Sequence, residues 1–277
     1  ISTGYRTAPE TNGYSRKWLG SGGMDVKYGI NESFTLDATL IPDFGQVISD
    51  NVINNLSPFE IRFQENRQFF TEGTEIFNKA GLFYSRRVGA NPTRYTSIRN
   101  FVAGNPDWEI IKNPSVTQLY NATKFSGRTT KKLGIGIFNA VTAPMHAKIN
   151  NDILGKDSTV QTEPLTNYNI FVLDQALKGR SYLTLTNTNV IRNGSGRDAN
   201  VTAFDFSLFD KKNTFNVKGT ARYSKVFSAN GYDGFNTTIR AGKVSGKWQY
   251  HLQNNVESAN YDPNDLGFLI AANEIAN

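Results

Sequence analysis

The chain has 277 residues with no Cys, and its 30 Lys and Arg stand against 24 Asp and Glu for a net charge of +6. Its mean hydropathy of −0.44 and lack of a long apolar run exclude transmembrane helices but leave room for a membrane β-barrel, whose alternating strands average out as hydrophilic. Without Cys there is no disulfide framework or thiolate metal site, and basic residues this interspersed with acidic ones argue for a solvated or lumenal surface and against a nucleic-acid partner.

The opening ISTGYRTAPE has neither the basic start nor the apolar stretch of a signal peptide, so an exported protein would be read here as processed or partial. The first clear two-residue alternation follows. Met24, Val26, Tyr28 and Ile30 share one parity, and after Asn31-Glu32 come Phe34, Leu36, Ala38 and Leu40, which predicts a hairpin with a tight Asn-containing turn. Residues 42–116 then form an insertion too long for an ordinary loop and too apolar for disorder. The alternation resumes with a strand around 117–128, which crosses RTTKK to Leu133, Ile135 and Ile137. Tyr168, Ile170 and Val172 lead through Lys178-Gly179-Arg180 to SYLTLTNTNV. Phe204, Phe206 and Leu208 cross DKKN to Phe215, Val217, Gly219, Ala221 and Tyr223. Phe235, Thr237, Ile239 and Ala241 cross KVSGK to KWQYHLQNNV, where Trp248, Tyr250, Leu252 and Val256 share a parity. The pattern predicts about ten strands in five antiparallel hairpins and little helix.

The turns inside the hairpins are short and the links between them (42–116, 141–165, 192–199 and 226–234) are long. Short turns at one end and long loops at the other is the geometry of an outer-membrane barrel. On that reading Phe34, Tyr182, Phe209, Phe215, Trp248 and Tyr250 face lipid as an aromatic girdle, while Lys218, Arg222, Arg240, Gln249, His251 and Gln253 face the lumen. Gly219, Ala38, Ala221, Ala241 and Thr237 on the apolar parity would leave holes in a protein core but not against fluid lipid. The predicted fold is all-β: an antiparallel transmembrane β-barrel, incomplete in this chain, with 1–277 part of one barrel domain and 42–116 an inserted plug or lumenal loop. A soluble β-sandwich is the alternative.

The stretch GGMDVKYGINESFTLDATLIPDFGQVISDNVINNLSPFEIRFQENRQFFTEG, continuing to IFNKAGLFYSRRVG, closely resembles a Bacteroidota family of outer-membrane proteins. The residues that carry the resemblance are the strand ending in Tyr28-Gly29, the run Thr35 to Thr39 with Pro42-Asp43-Phe44, and Asn55-Leu56-Ser57 leading into Phe63. Glu65, Arg67, Phe69-Phe70, Glu72-Gly73 and Leu82-Phe83-Tyr84-Ser85-Arg86-Arg87 follow in order. Beyond residue 89 the likeness continues as strand pattern, in residues 124–127 and 134–142. Full-length precursors of that family carry an N-terminal domain similar to carbohydrate-binding module family 9, absent here, followed by an uncharacterised barrel. The resemblance therefore implies an internal portion of a longer protein in the bacterial outer membrane. Lipid and lipopolysaccharide would be its surroundings, with other envelope proteins as candidate partners and a glycan as candidate ligand.

One segment carries a concentration of chemistry. Glu60, Glu65, Glu72 and Glu75 stand beside Arg62 and Arg67, with Arg86 and Arg87 close behind and Phe59, Ile61 and Phe63 alternating. A glycosidase reading would take Glu65 and Glu72 as acid and base, which needs one carboxyl kept protonated. The neighbouring arginines favour ionisation of all four, so the preferred reading is a salt-bridged plug pinned by Phe69 and Phe70. His146 and His251 do not make a zinc site, and Asp262, Asn264 and Asp265 lack the spacing of a calcium loop and read as a turn. No metal or cofactor is predicted. The expected function is an envelope channel or scaffold, with a subunit of a larger complex or a surface hydrolase as alternatives.

Overall fold

The computed structural model describes residues 2–10, 13–42, 60–151, 153–194 and 196–269, the strands within 2–21 by backbone alone. Phe59, with Asp43, Phe44 and the Asn55-Leu56-Ser57 run, lies outside the described residues. Among those described there are fifteen strands, and every pairing is antiparallel. β1 (Ser2–Glu10) pairs only with β2 (Gly13–Ser21). Ten strands make one large sheet: β3 (Met24–Asn31), β4 (Phe34–Leu40), β6 (Leu119–Arg128), β7 (Leu133–Thr142), β10 (Thr166–Ala176), β11 (Tyr182–Arg192), β12 (Asp198–Phe209), β13 (Phe215–Phe227), β14 (Tyr232–Lys243) and β15 (Tyr250–Glu257). Their order is β15-β14-β13-β12-β11-β10-β7-β6-β4-β3, and the sheet is not closed, with β3 and β15 as its edges.

All five predicted hairpins are in this sheet, and their turns carry the expected chemistry. Asn31 Oδ1 accepts the N–H groups of Ser33 and Phe34 at 2.8 and 2.9 Å, and Asp210 Oδ1 accepts those of Thr214 and Phe215 at 2.6 and 2.7 Å. The count of ten strands is too low. The link 141–165 contains β8 (Met145–Asn151) and β9 (Lys156–Glu163), which join β5 (Trp108–Lys112) from within 42–116 in a three-stranded sheet. That sheet packs Ala147, Ile149, Trp108 and Val160 on Ile98 and Val102 of helix α2 (Tyr95–Gly104). The core is so small that it imposes only a few apolar positions, which is why alternation alone does not reveal these strands. A second, four-residue helix, α1 (Gln68–Thr71), lies upstream of α2.

The large sheet has one face of exposed apolar side chains and one that buries polar and apolar groups together. On one face, here the open face, Ile137, Phe171, Leu185, Phe204, Val217, Tyr223, Phe235 and Ile239 are exposed. Leu252, on an edge strand, is 83% exposed. One register row, Phe34–Gly127–Ile135–Leu173–Leu185–Phe204–Ala221–Thr237–Val256, crosses nine strands. At a strand spacing of about 4.8 Å it runs for roughly 38 Å. The opposite face buries Thr142, Thr166, Asp174, Thr184, Thr186, Thr188, Ser207 and Asn216 along with apolar groups.

From β6 to β12 that second face is covered by residues 60–90 and by the segment 261–269, whereas Lys218, His251 and Gln253 toward the β15 edge are exposed. Phe70, Phe77, Phe83, Val88 and Leu266 form one cluster with Ala122, Phe138, Ala140, Ile170, Val172 and Val190 of the strands, while Ala80 and Leu82 meet Val201 and Ala203. The alternating glycines of β7 make the closest contact possible. A Cβ at Gly136 would stand 2.9 Å from Ile76 Cγ2 and 3.0 Å from Phe77 Cε1, and one at Gly134 3.1 Å from Ile76 Cδ1.

Parity corrects two of the aromatic assignments. Tyr182 shares a face with buried Thr184 and Thr186, and Lys79 Nζ lies 5.2 Å from its ring centroid, so it points toward the covering segment. Phe209 pairs with buried Asn216 on that same face and stacks with Arg180 at 4.8 Å. In both strands the aromatic terminates the polar parity beside the turn, so nearness to a turn is a poor guide to facing. Phe34, Phe215 and Tyr250 lie on the open face, and Trp248 is 76% exposed just before β15.

Candidate functional site

The predicted charge network is a set of local ties that bind the covering segment together. Glu65 Oε1 accepts from the backbone N–H and Nε of Arg67, its Oε2 from Arg67 Nη2 at 2.7 Å and the Ser85 hydroxyl at 2.6 Å. Arg67 also donates to the carbonyls of Ser85 and Val88, which joins residues 65–67 to the 3-10 turn Ser85–Arg87. Arg87 holds Glu60 through both terminal nitrogens, at 2.8 and 2.6 Å. Arg86 donates to the Gln64 carbonyl at 2.9 Å, and Arg62 lies over the rings of Tyr84 and Phe268. Glu72 pairs with Lys27 of β3 at 3.3 Å and not with an arginine. Glu75 is exposed, among the acidic groups around Lys124.

Neither glutamate of the glycosidase reading is held protonated. Burial raises the Glu65 carboxyl, but Arg67 and Ser85 outweigh it and keep the pKa below the usual carboxylate range. Hydrogen bonds from Gln68 and Lys27 lower Glu72 as well. The arrangement supplies two carboxylates and no acid.

Two buried charges on the sheet fasten the segment to it. Lys124 is 2% exposed, donates to the Glu72 carbonyl at 2.6 Å and to that of Phe69, and lies 4.3 Å from the Phe69 ring centroid. Asp174, fully buried, accepts from Lys79 at 2.6 Å, from Thr184 at 2.7 Å and from Arg128. Of the residues predicted to face a lumen, Lys218, Arg222, Arg240, His251 and Gln253 are on this face, Arg240 within 3.2 Å of His251 Nδ1, while Gln249 sits in the β14–β15 turn.

At the end of the sheet opposite the short hairpin turns is a cleft of about 780 Å³. Its walls come from residues 87–94, the end of β9, the β11–β12 connection and residues 262–265, with Tyr168 and Thr162 also lining it. Arg197 clamps Asp265 at 2.6 Å and Asp262 at 2.7 Å, Arg192 reaches Asp265 at 2.8 Å, and the Tyr232 hydroxyl donates to Asp262 at 2.8 Å. Burial opposes ionisation of Asp262, yet Arg197, the Asn264 N–H and Tyr232 keep its carboxyl below the ordinary range. Glu163, 4% exposed, accepts the Thr93 N–H at 2.7 Å.

A family model described as a domain of unknown function, DUF5916, matches residues 2–277. The chain belongs to the DUF5916 family. No curated protein and no solved structure matches it.

In this DUF5916 chain the sequence motifs single out residues 60–90 but not the cleft. Arg192, Arg197, Glu163 and Tyr168 come from four different connections or strands, and Asp262 and Asp265 read as a plain turn. The DPNDLG turn does form, with the Asp262 side chain accepting the Asn264 N–H at 3.0 Å, but its carboxylates are ligands for arginines some 65 residues away in sequence. The only signal available was the coincidence of two acidic residues with two arginines near predicted strand ends. His146 and His251 lie on separate sheets, and no cluster suited to a metal ion occurs among the described residues.

Proposed function

We propose that this chain forms much of the wall of a β-barrel in the bacterial outer membrane, with residues 60–90 as a plug held against the lumenal face. The single observation that carries the reading is the open face, with apolar side chains exposed across nine strands, while the other face is already covered and buries hydroxyls, amides and charges together with an apolar cluster. Monomeric proteins in water rarely leave apolar patches beyond a few hundred Å² uncovered, whereas a lipid-facing sheet requires one. The resemblance to Bacteroidota outer-membrane proteins points the same way. On this reading the protein is a channel or scaffold whose lumen is occupied, and Lys124 and Asp174 are the fastenings that keep it so.

A second reading, a wall subunit of a larger envelope complex, draws on an interruption of the open face. Asn139 donates to Asn167 and Asn169 at 2.7 and 2.9 Å, and Asn187 to Asn200 and Thr202 at 3.1 and 2.8 Å, forming an amide patch that suits a protein neighbour better than lipid.

The test is membrane extraction of the full-length protein followed by planar-bilayer conductance, with a Lys124→Met/Asp174→Ala variant and a deletion of residues 60–90 beside it. A plugged barrel should require detergent and conduct only when the plug is loosened or removed. Fixed partners in detergent with no conductance in any variant favour the subunit reading. A protein soluble and monomeric without detergent sinks both.

A further inference from the structure

We infer that the cleft at the long-connection end of the sheet is a binding site for a short neutral oligosaccharide. The inference stands on the cleft's own chemistry and does not depend on the membrane reading.

Its charges cancel. Arg192 and Arg197 are taken by Asp262 and Asp265, and Arg87 by Glu60. Arg94 and Glu163 remain, one of each sign, so an ion of either sign gains little. No Leu, Ile, Val, Phe or Met lines the cleft; its carbon surface comes from Ala90, Pro164, Tyr168 and the arginine stems, dispersed among polar groups rather than gathered into an apolar slot. What the walls offer is uncommitted hydrogen-bonding capacity. The side-chain amides of Asn91, Gln161 and Asn193 have no hydrogen-bond partner among the described residues, and Arg94 has only the Gln161 carbonyl at 3.4 Å. The first three project from three different segments into one space.

A primary amide presents a donor and an acceptor side by side, and so does a pair of neighbouring sugar hydroxyls. Three such amides with a guanidinium and a carboxylate can replace the water around a polyhydroxylated ligand bond for bond. Ala90, Pro164, Tyr168 and the aliphatic stems of the arginines supply the carbon surface that the C–H edges of a sugar need. The volume lies inside the usual range of about 300–1,000 Å³ for small-ligand sites.

The experiment is calorimetric titration of the full chain with maltotriose, mannotriose and chitotriose, with glucose, glucose 6-phosphate and inorganic phosphate as comparisons. At least one trisaccharide should bind saturably, and Gln161→Ala/Asn193→Ala should weaken it about tenfold, a difference of about 1.4 kcal/mol. Glucose 6-phosphate should bind no tighter than glucose. If the double variant loses its cooperative unfolding, Asn91→Ala on the separate 87–94 wall serves in its place. The inference is overturned if no trisaccharide saturates or if affinity survives the substitutions. It is equally overturned if phosphate binds more tightly than any sugar and Arg94→Ala abolishes that binding, since the cleft would then be an anion site.

Discussion

Both oxygens of Glu65 are taken by Arg67 and Ser85, and the consequence can be measured as a function of pH. Its folded-state pKa is lowered, so the stability it contributes is fully present above the ordinary carboxylate value of about 4.3 and is lost as pH falls through the lower folded-state value. Glu65→Gln should cost about 2 kcal/mol at pH 7, because it removes charge-assisted bonds to a nearly buried guanidinium. In denaturant melts that gap should begin to narrow as pH falls below the ordinary carboxylate value of about 4.3, where the unfolded chain protonates, and close as the folded carboxyl protonates in turn. A constant gap from pH 7 to 3 would mean that the pair acts by shape alone. The opposite case is Asp205, 7% exposed with Oδ2 buried and unpartnered. Asp205→Asn should raise the unfolding midpoint, by on the order of 1 kcal/mol, since it removes a poorly compensated charge; a lowered midpoint would show that Asp205 has a partner essential to the fold.

Between elements, the contact of residues 76–77 with β7 depends on what β7 lacks. The sequence GIGIF reads as a strand whose apolar residues Ile135 and Ile137 face one way, and it is one. Nothing in that pattern says why the other parity holds Gly134 and Gly136; the reason is the Ile76 and Phe77 side chains that lie against them. Gly136→Val would add three carbons where the first already meets Phe77 at 3.0 Å, an overpacking of about 1–3 kcal/mol. The strand can keep its ladder, so the covering segment should yield: limited proteolysis within 60–80 should accelerate while the sheet stays intact by circular dichroism. Unchanged cleavage would mean that this contact does not hold the segment down. The five hairpins of the large sheet were legible because each is fixed by neighbours in sequence, down to the Asn31 and Asp210 turns; the β1–β2 hairpin was not. The β5-β8-β9 sheet was not, because its strands are short and rest on a core of few residues around Ile98.

For the whole molecule, the orientation of the large sheet gives the sharpest test of where it resides. Leu185→Arg puts a charge near the middle of the open face. Against a bilayer midplane it should cost about 2–4 kcal/mol, measured as a shift in the folding midpoint in lipid vesicles. On a face turned to water it should change stability by no more than about 0.5 kcal/mol, and that outcome would remove the membrane reading. The sequence by itself determined the ten strands of the large sheet and their antiparallel pairing in five hairpins, because a period of two and a turn motif are local properties of the chain. It could not say which face is covered. That was decided by the placement of residues 60–90 and 261–269 on the polar side, through a buried Lys124, a buried Asp174 and two glycines that recognise partners far away in sequence. The cleft likewise exists only after folding, since its arginines and carboxylates meet across connections that the chain order keeps apart.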